Sequence, residues 1–266
     1  IFDSFPPGEA IGAAAPENLS EKRKLIMYNI HYLNPISQKG TALWTEDYEK
    51  CEKMEDAQAV MVRSAAMHEL ELPENLAAVA RAGAGVNNIP IPECSEDGVV
   101  VFNTPGANAN AVKELVICAL FLASRKIVQG ISWAKTLADE EGVAKLVEKG
   151  KSQFAGNEIL GKKLGVIGLG AIGAMVANTA QKLGMDVYGY DPYISIDAAW
   201  SLSRSVVHAN DLKTIFENCD YITLHVPATD ETKNTICAET LKTMKPGVRI
   251  INLARAELVN TDDMLA

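Results

Sequence analysis

The sequence lacks an excess of positive charge. Its 266 residues include 25 Lys and Arg against 34 Asp and Glu, which gives a formal net charge of −9. Proteins that bind nucleic acid or a membrane surface through charge need a basic face, so neither partner is expected. Anionic small molecules are not excluded, because a few local cations are enough to bind them.

Cysteine is scarce, and long apolar runs are missing. No C-x-x-C pair occurs among the five cysteines, which are Cys51, Cys94, Cys118, Cys219 and Cys237. Irregular spacing and an odd count favour reduced thiols in a cytoplasmic protein, and we expect no metal site. No apolar run approaches the roughly 18 residues of a membrane span. The start of the chain does not have the pattern of a secretory signal.

The chain is long enough for one large domain or two medium ones, and 48% hydrophobic with 22% charged residues is ordinary for a globular protein. Residues 1–26 are rich in Pro, Gly, Ala and Glu and precede a strand-like run. We interpret them as a leader or extension of unclear origin, with Met27 as the natural start. An extra helix is the alternative.

Apolar runs bounded by turn residues alternate with segments of helical periodicity, which is typical of βαβ units and parallel sheets. Strands are predicted at 28–33, 59–63, 77–80, 99–103, 163–169, 187–191, 205–208, 221–226 and 249–253. Helices are predicted at 45–54, 91–96, 172–183, 211–218 and 238–244, with one long helix over 109–131 before a polar segment at 139–161. The pattern predicts two α/β units.

A glycine motif directly follows the apolar strand that begins the second unit. It reads Gly168-Leu169-Gly170-Ala171-Ile172-Gly173 and opens an amphipathic helix. In this context the first glycine permits a tight turn, the second lets the backbone approach a pyrophosphate, and the third allows close packing of helix and strand. The motif therefore predicts a dinucleotide site. A glycine-rich turn without a ligand is the alternative.

The identity of the dinucleotide follows from Asp191, which ends the next predicted strand eighteen residues after Gly173. An acidic residue about twenty positions on accepts hydrogen bonds from the ribose hydroxyls and repels a 2′-phosphate. The following Pro192 and Tyr193 supply no compensating arginine. The sequence thus favours NAD over NADP.

Three further segments have the chemistry to bind anions. Residues 82–88 contain closely spaced glycines whose amides could form an anion-binding nest. Arg255 follows a predicted strand, at the sheet edge where open α/β folds bind ligands, and its guanidinium can hold a carboxylate through two hydrogen bonds. Arg63 and Ser64 end another predicted strand; a surface cation without a ligand is the alternative reading of Arg63.

Read together, these segments make the sequence resemble the D-isomer-specific 2-hydroxyacid dehydrogenases, and among them the members that oxidise 3-phosphoglycerate. The resemblance extends over about 27–266, in order and with suitable spacing. Its matching pieces are residues 62–64, 81–87, 101–108, 112–115, 165–173, 224–227, 244–247 and 251–255. It implies an α/β fold of two Rossmann-like or flavodoxin-like doubly wound parallel-sheet domains. These are a substrate-binding domain at 27–104 and an NAD-binding domain at 105–266 that lacks its last part.

The resemblance also implies roles for individual residues. The carboxylate of the substrate would bind to the amides of Ala84 and Gly85 and to the catalytic Arg255, with Arg63, Ser64 and Asn108 near a phosphate end. The cofactor would contact Gly168, Gly170, Ala171, Ile172, Gly173, Asp191, His225, Val226, Pro227, Thr232, Leu253 and Ala254. Ala256 stands where the family usually has glycine, and it would strain the turn if that position needs a positive φ. A dimer formed through the long helix is a further expectation.

The family also uses a glutamate and an acid/base histidine beyond the arginine, and the given sequence ends eleven residues after Arg255. We therefore expect a C-terminally truncated chain, whose sheet lacks a strand and which is inactive alone. None of His31, His68, His208 and His225 is a suitable replacement.

The activity implied for the intact parent is NAD-dependent oxidation of D-3-phosphoglycerate to 3-phosphohydroxypyruvate, a step of serine biosynthesis. A dehydrogenase for glycerate, lactate or another 2-hydroxy acid is one alternative. A non-catalytic NAD-sensing binding protein is the other.

Overall fold

A computed structural model describes residues 27–266. The leader or extension predicted at 1–26 lies outside the described residues. The chain divides into two compact units, of which the first ends at Pro105 and the second comprises Gly106–Ala266. Each is built on a five-stranded sheet in which every pairing is parallel. The predicted α/β fold class is confirmed.

The first unit has the strand order β2-β1-β3-β4-β5. Its strands are β1 (Tyr28–Tyr32), β2 (Tyr48–Cys51), β3 (Ala59–Val62), β4 (Ala78–Arg81) and β5 (Val100–Phe102), and its helices are α1 (Gln38–Thr41) and α2 (Ile91–Glu96), with a 3-10 turn at Met54–Asp56. The order reverses between β1 and β3, which is the place where ligands bind in open α/β sheets. Val60, Val62 and Val79 are fully buried at the centre of the core.

The prediction of a helix over 45–54 is wrong, because β2 occupies this segment. Residues Tyr48 to Cys51 pair in parallel with β1 at the edge of the sheet. Tyr48 packs against Trp44 and Tyr28, with ring centroids 4.9 and 5.8 Å apart. Glu and Lys are good helix formers, but pairing with the neighbouring strand and these aromatic contacts override that preference.

The second unit has the strand order β10-β9-β6-β7-β8, which is the Rossmann arrangement 3-2-1-4-5 read from its other edge. Its strands are β6 (Lys163–Ile167), β7 (Asp186–Tyr190), β8 (Val207–His208), β9 (Tyr221–Leu224) and β10 (Arg249–Asn252). Its helices are α3 (Ala109–Ser124), α4 (Ile127–Lys135), α5 (Val143–Gly150), α6 (Ala171–Lys182), α7 (Ile196–Ser201), α8 (Leu212–Asn218), α9 (Ala238–Leu241) and α10 (Thr261–Leu265), with 3-10 turns at Lys151–Phe154 and Ala256–Leu258.

Two apolar clusters cover the two faces of this sheet and hold it in place. On one face, α6 packs against β6 and β7, and α3 packs against α6 and β10, through Val116, Leu120, Val176 and other buried residues. On the other, α8 packs against β6 and β7, and its Ile215 and Phe216 are buried in a cluster that also contains residues of β9. The carboxyl ends of β6 and β9, between which the strand order reverses, are therefore supported by packed apolar side chains on both faces of the sheet.

The helix predicted over 109–131 is broken. It ends at Ser124, Arg125 has extended dihedrals (φ −120°, ψ 142°), and a second helix begins at Ile127. The carbonyl of Ser124 accepts a hydrogen bond from the amide of Asn157 at 3.1 Å instead of a bond within the helix. The hydroxyl of Ser124 bonds to the buried Tyr221 hydroxyl at 2.7 Å. These contacts with later segments end the helix, and periodicity does not reveal them.

Among residues 27–266, no single helix has the length and apolar composition of a membrane span. Within this range, the helices Ala109–Ser124 and Ile127–Lys135 have that length and composition only when they are taken together, and the chain bends by 71° between them.

Candidate functional site

The glycine loop joins β6 to α6 at the point where the strand order reverses. Gly168 has φ +91°, and a Cβ there would lie 2.8 Å from the carbonyl carbon of His225, so both conformation and space require glycine. A Cβ on Gly173 would lie 1.8 Å from the oxygen of Gly168, which brings helix and loop into direct contact. A Cβ on Gly170 would meet no atom of the described part of the chain within 4 Å, so the space above this residue is open to a ligand.

The N-terminus of α6 faces this opening, and within residues 27–266 no side chain satisfies its amides. Gly170 is the N-cap residue, no side chain caps the helix, and the first turn carries no acidic residue. The amides of Ala171 and Ile172 are therefore available to an anion, and the helix dipole adds positive potential. An open cradle of glycine backbone with unsatisfied amides fits a pyrophosphate.

Asp191 lies directly after β7, beside the glycine loop. One carboxylate oxygen accepts a hydrogen bond from the amide of Leu169 at 2.8 Å, and the other accepts one from the amide of Tyr193 at 2.9 Å. Each carboxylate oxygen can accept a further bond, so the group can still bind two ribose hydroxyls. The bond to Leu169 holds the carboxylate of Asp191 next to the loop that would bind the phosphates.

The segment after β9 forms the other wall of the loop. The backbone of His225 and the side chain of Val226 lie against Gly168. Thr232 closes this segment, because its hydroxyl donates to the carbonyl of Pro227 at 2.6 Å and accepts from the amide of Thr229 at 2.8 Å. Four residues predicted to contact the cofactor, His225, Val226, Pro227 and Thr232, thus form one connected loop beside the glycine motif.

His225 is held as a neutral side chain. Its ring Nε2 lies 3.0 Å from the hydroxyl of the buried Thr223, and burial lowers its pKa from 6.5 to about 4. A histidine with so low a pKa carries no positive charge at neutral pH.

Arg255 follows β10 at the same edge of the second sheet and is exposed. Asn252 shapes its turn: the side-chain amide donates to the carbonyl of Arg255 at 2.7 Å, and the side-chain oxygen accepts from the amide of Ala254 at 3.1 Å. One guanidinium nitrogen of Arg255 donates to the carbonyl of Ala254 at 3.0 Å, which leaves donors free for a carboxylate. Leu253 and Ala254 connect the strand to this arginine.

The strain expected at Ala256 is absent. Within residues 27–266, Asn234 is the one non-glycine residue with a positive φ, and Ala256 begins a 3-10 turn instead. Alanine is therefore compatible with the turn that follows Arg255.

In the first unit, the glycine-rich segment after β4 has free amides. The carbonyls of this loop are held, because the amide of Thr104 donates to Gly83 at 3.0 Å and the side chain of Asn103 donates to Ala84 at 2.7 Å. The amides of Ala84 and Gly85, in contrast, have no hydrogen-bond partner among the described residues. They are free to bind an anion, as the predicted nest requires.

Arg63 and Ser64 lie directly after β3, also in the first unit, and both are exposed. Their side chains make no hydrogen bond or ion pair within residues 27–266. Asn108 belongs to the second unit, where it is the N-cap residue of α3 and makes no capping bond. The grouping of Asn108 with Arg63 and Ser64 stays a prediction.

Sequence reasoning missed four asparagines that shape these loops, namely Asn34, Asn88, Asn103 and Asn252. Each bonds to backbone groups of a candidate binding loop. For Asn252, the signal was its position three residues before Arg255. The other three act on segments distant in sequence, and no local pattern marks them.

The second unit combines the Rossmann strand order, a glycine loop where that order reverses, and an acid at the end of the adjacent strand. Together these features define a dinucleotide-binding Rossmann domain. Residues 117–266 match the sequence profile described as "D-isomer specific 2-hydroxyacid dehydrogenase, NAD binding domain". The chain belongs to the D-isomer-specific 2-hydroxyacid dehydrogenase family, and this domain binds NAD, so both predictions are confirmed.

Curated relatives include the D-3-phosphoglycerate dehydrogenase of Methanocaldococcus jannaschii, 36% identical over 234 residues that make up 87% of this chain and 42% of the relative. The hydroxypyruvate reductase of Thermotoga maritima is 34% identical over 88% of this chain and 76% of the relative. A solved NAD⁺-bound 3-phosphoglycerate dehydrogenase from Entamoeba histolytica has a TM-score of 0.66 and 28% identity, covering 90% of this chain and 76% of that one. The chain thus spans about two fifths of the length of the first of these relatives.

Proposed function

We propose that the protein takes part in NAD-dependent oxidation of D-3-phosphoglycerate to 3-phosphohydroxypyruvate, a step of serine biosynthesis, in the cytoplasm. Family membership supports the reaction class, and the relatives named for phosphoglycerate support the substrate. The observation that carries the choice of a phosphorylated substrate is the exposed Arg63 and Ser64 pair, whose donors are unused within residues 27–266.

Each candidate residue has a proposed task. The amides of Ala171 and Ile172 bind the pyrophosphate, and Asp191 binds the adenosine ribose. Bound NAD supplies the hydride acceptor. Arg255 neutralises the carboxylate of the substrate and so orients the C2 oxygen, and in the first unit the amides of Ala84 and Gly85 are proposed donors to an anionic group of the substrate. Arg63 and Ser64, with Asn108, bind the phosphate end.

The proton of the C2 hydroxyl needs an acceptor, and we propose that none of the four histidines serves as this base. His225 is bonded to Thr223 and has a pKa lowered by burial. His31 and His68 lie 3.3 and 2.9 Å from the backbone carbonyls of Cys51 and Asn87. His208 ends the short edge strand β8. We therefore expect little turnover from these 266 residues assayed alone, and turnover once the family's glutamate and histidine are supplied.

NADH absorbance measured with D-3-phosphoglycerate and with D-glycerate tests the substrate. The enzyme that carries the family's glutamate and histidine should prefer the phosphorylated acid, and Arg63→Ala should remove that preference with little effect on glycerate. Equal rates with both acids, unchanged by Arg63→Ala, would contradict a phosphate role. Robust NADH production by the 266 residues alone would contradict the assignment of the histidines.

A glycerate or hydroxypyruvate enzyme is the second candidate. It is supported by the match to the Thermotoga maritima hydroxypyruvate reductase, of which the chain covers 76%. The same assay decides between the two, because this candidate requires a higher kcat/KM for glycerate than for phosphoglycerate.

We also propose a homodimer formed through α3 and α4. These helices expose several apolar side chains, among them Leu115, Val128 and Ile131, each more than half exposed. Exposed apolar surface of this kind is typical of subunit contacts.

A further inference from the structure

The side chain of Asn34 organises the segment that carries Arg63 and Ser64. Its Oδ1 atom accepts hydrogen bonds from three consecutive backbone amides, those of Arg63 at 2.8 Å, Ser64 at 2.9 Å and Ala65 at 3.0 Å. Three N–H donors that converge on one atom require an acceptor there, so the amide oxygen, and not the NH₂ group, faces them.

The position of this contact in the fold matches a ligand site. Asn34 follows β1 and Arg63 follows β3, and these neighbouring strands flank the reversal of strand order in the first sheet. Ligands of open α/β folds bind outside the carboxyl ends of such strands. Asn34 thus connects the two strand ends that border this place.

The same segment is held from its other side. The carbonyl of Ala65 accepts a hydrogen bond from the side-chain amide of Asn88 at 2.7 Å, and the amide of Met67 donates to the carbonyl of Asn88 at 2.9 Å. Asn88 is the last residue of the glycine-rich segment 82–88, which also carries Ala84 and Gly85. Both amide and carbonyl groups of the backbone are therefore fixed, while the side chains of Arg63 and Ser64 stay exposed.

The chemical type of the side chain at position 34 matters as well. Converging backbone amides attract an anion, and a carboxylate would bind to them more strongly than a neutral amide does. A carboxylate would also place a negative charge next to Arg63 and reduce the attraction for a phosphate. Asparagine supplies the acceptor without the charge.

We propose that Asn34 is a positioning residue that sets specificity for the phosphate end of the substrate. It fixes the backbone at 63–65, so that Arg63 and Ser64 present their donors together. Because its side chain is neutral, it does not weaken the attraction between Arg63 and a phosphate. This inference rests on the phosphate role proposed above for Arg63 and Ser64.

The test compares Asn34→Ala, Asn34→Asp and Arg63→Ala in the 266-residue chain. NMR titrations with D-3-phosphoglycerate and with D-glycerate give the two affinities, and amide hydrogen exchange reports the order of Arg63, Ser64 and Ala65. Asn75→Asp, which adds the same charge at an exposed position of the first unit, is the matched control.

We expect Asn34→Asp to keep the three amides protected and to weaken phosphoglycerate binding by about three- to tenfold, the effect of one nearby surface charge. Its affinity for glycerate should change less than twofold. Asn34→Ala should expose the three amides to exchange and weaken phosphoglycerate binding at least as much. Asn75→Asp should change neither affinity.

Two results would overturn the inference. One is an Asn34→Asp chain that binds phosphoglycerate with the affinity of the parent, because Asn34 would then stabilise the backbone at 63–65 without affecting specificity. The other is Asn34→Ala with protected amides. If instead phosphoglycerate leaves the signals of Arg63 and Ser64 unperturbed and Arg63→Ala binds it normally, the proposed function fails. The specificity role then fails with it, while hydrogen exchange still decides whether Asn34 positions the segment.

Discussion

The carboxylate of Asp191 accepts a hydrogen bond from the backbone amide of Leu169 at 2.8 Å. Leu169 is the second residue of the glycine loop, and its side chain is buried in the apolar cluster that also contains residues of α3 and α6. The acid that would bind the ribose and the loop that would bind the phosphates are therefore held at a fixed distance. A preorganised pair of this kind lowers the entropy cost of binding a long, flexible cofactor.

Replacing Asp191 tests this relationship. Asp191→Ala removes the acceptor for the ribose hydroxyls and the tie to Leu169, and we expect NAD affinity, measured by calorimetry, to fall about tenfold or more. Asp191→Asn should lose less, because it keeps one acceptor oxygen. Asp186→Ala, at the other end of β7, is the control and should bind NAD normally. If Asp191→Ala bound NAD with the affinity of the parent, the proposed binding of the ribose by Asp191 would be wrong.

Two glycines of the loop should respond differently to alanine. Gly170→Ala places its methyl group in open space, so thermal stability should be unchanged while NAD affinity falls at least about tenfold, since the methyl group would occupy the path of the pyrophosphate. Gly173→Ala places its methyl group 1.8 Å from a backbone oxygen and should destabilise the fold by about 3 kcal/mol or more. Denaturant unfolding and calorimetry measure the two effects. Parental NAD affinity in Gly170→Ala would show that the cofactor does not approach this residue.

The low pKa of His225 predicts an acid-sensitive stability. The folded protein keeps this ring neutral down to about pH 4, whereas the unfolded chain takes up a proton near 6.5. The contribution is therefore complete above pH 6.5 and is lost as the pH falls from 6.5 towards 4, by roughly 2–3 kcal/mol. Urea unfolding across this range measures it. His225→Gln should flatten the dependence, and His208→Gln, at an exposed edge, should not. Identical pH curves for parent and His225→Gln would refute the prediction.

The exposed apolar side chains of α4, Val128 and Ile131, predict a dimer that is sensitive to introduced charge. Val128→Glu combined with Ile131→Glu should raise the dimer dissociation constant at least about a hundredfold, because each carboxylate would be buried in the contact. Sedimentation velocity over a range of concentrations measures the shift. Ile196→Glu, an exposed apolar position on α7, serves as the comparison and should leave the dimer intact. A parent that sediments as a monomer at every concentration would exclude this contact.

Sequence periodicity was sufficient to predict a strand that is buried on both faces of a parallel sheet and a helix with clear ends. The helix α2 lies where it was predicted, and the predicted strand at 163–169 became β6, whose last four residues are buried. The glycine loop and Asp191 could also be found, since the motif fixes their spacing and the fold fixes their place.

Prediction failed where contacts between distant segments decide the structure. The exposed edge strand β2 has helix-forming residues and no clear alternation, so only its partner β1 reveals it. The end of α3 depends on Asn157 and Tyr221, which follow it by 33 and 97 residues. Asn34 was overlooked for the same reason, because its three donors lie about thirty positions later in the chain.

The buried bond between Ser124 and Tyr221 also bears on how the second unit forms during synthesis. A ribosome releases α3 well before β9, since 97 residues separate the two partners. At about 5–20 residues per second, several seconds pass before Tyr221 is made, and in that time Ser124 lacks its partner in this bond and α3 lacks the later strand β10 against which it packs. The nascent helix would then expose its apolar surface to chaperones and to aggregation.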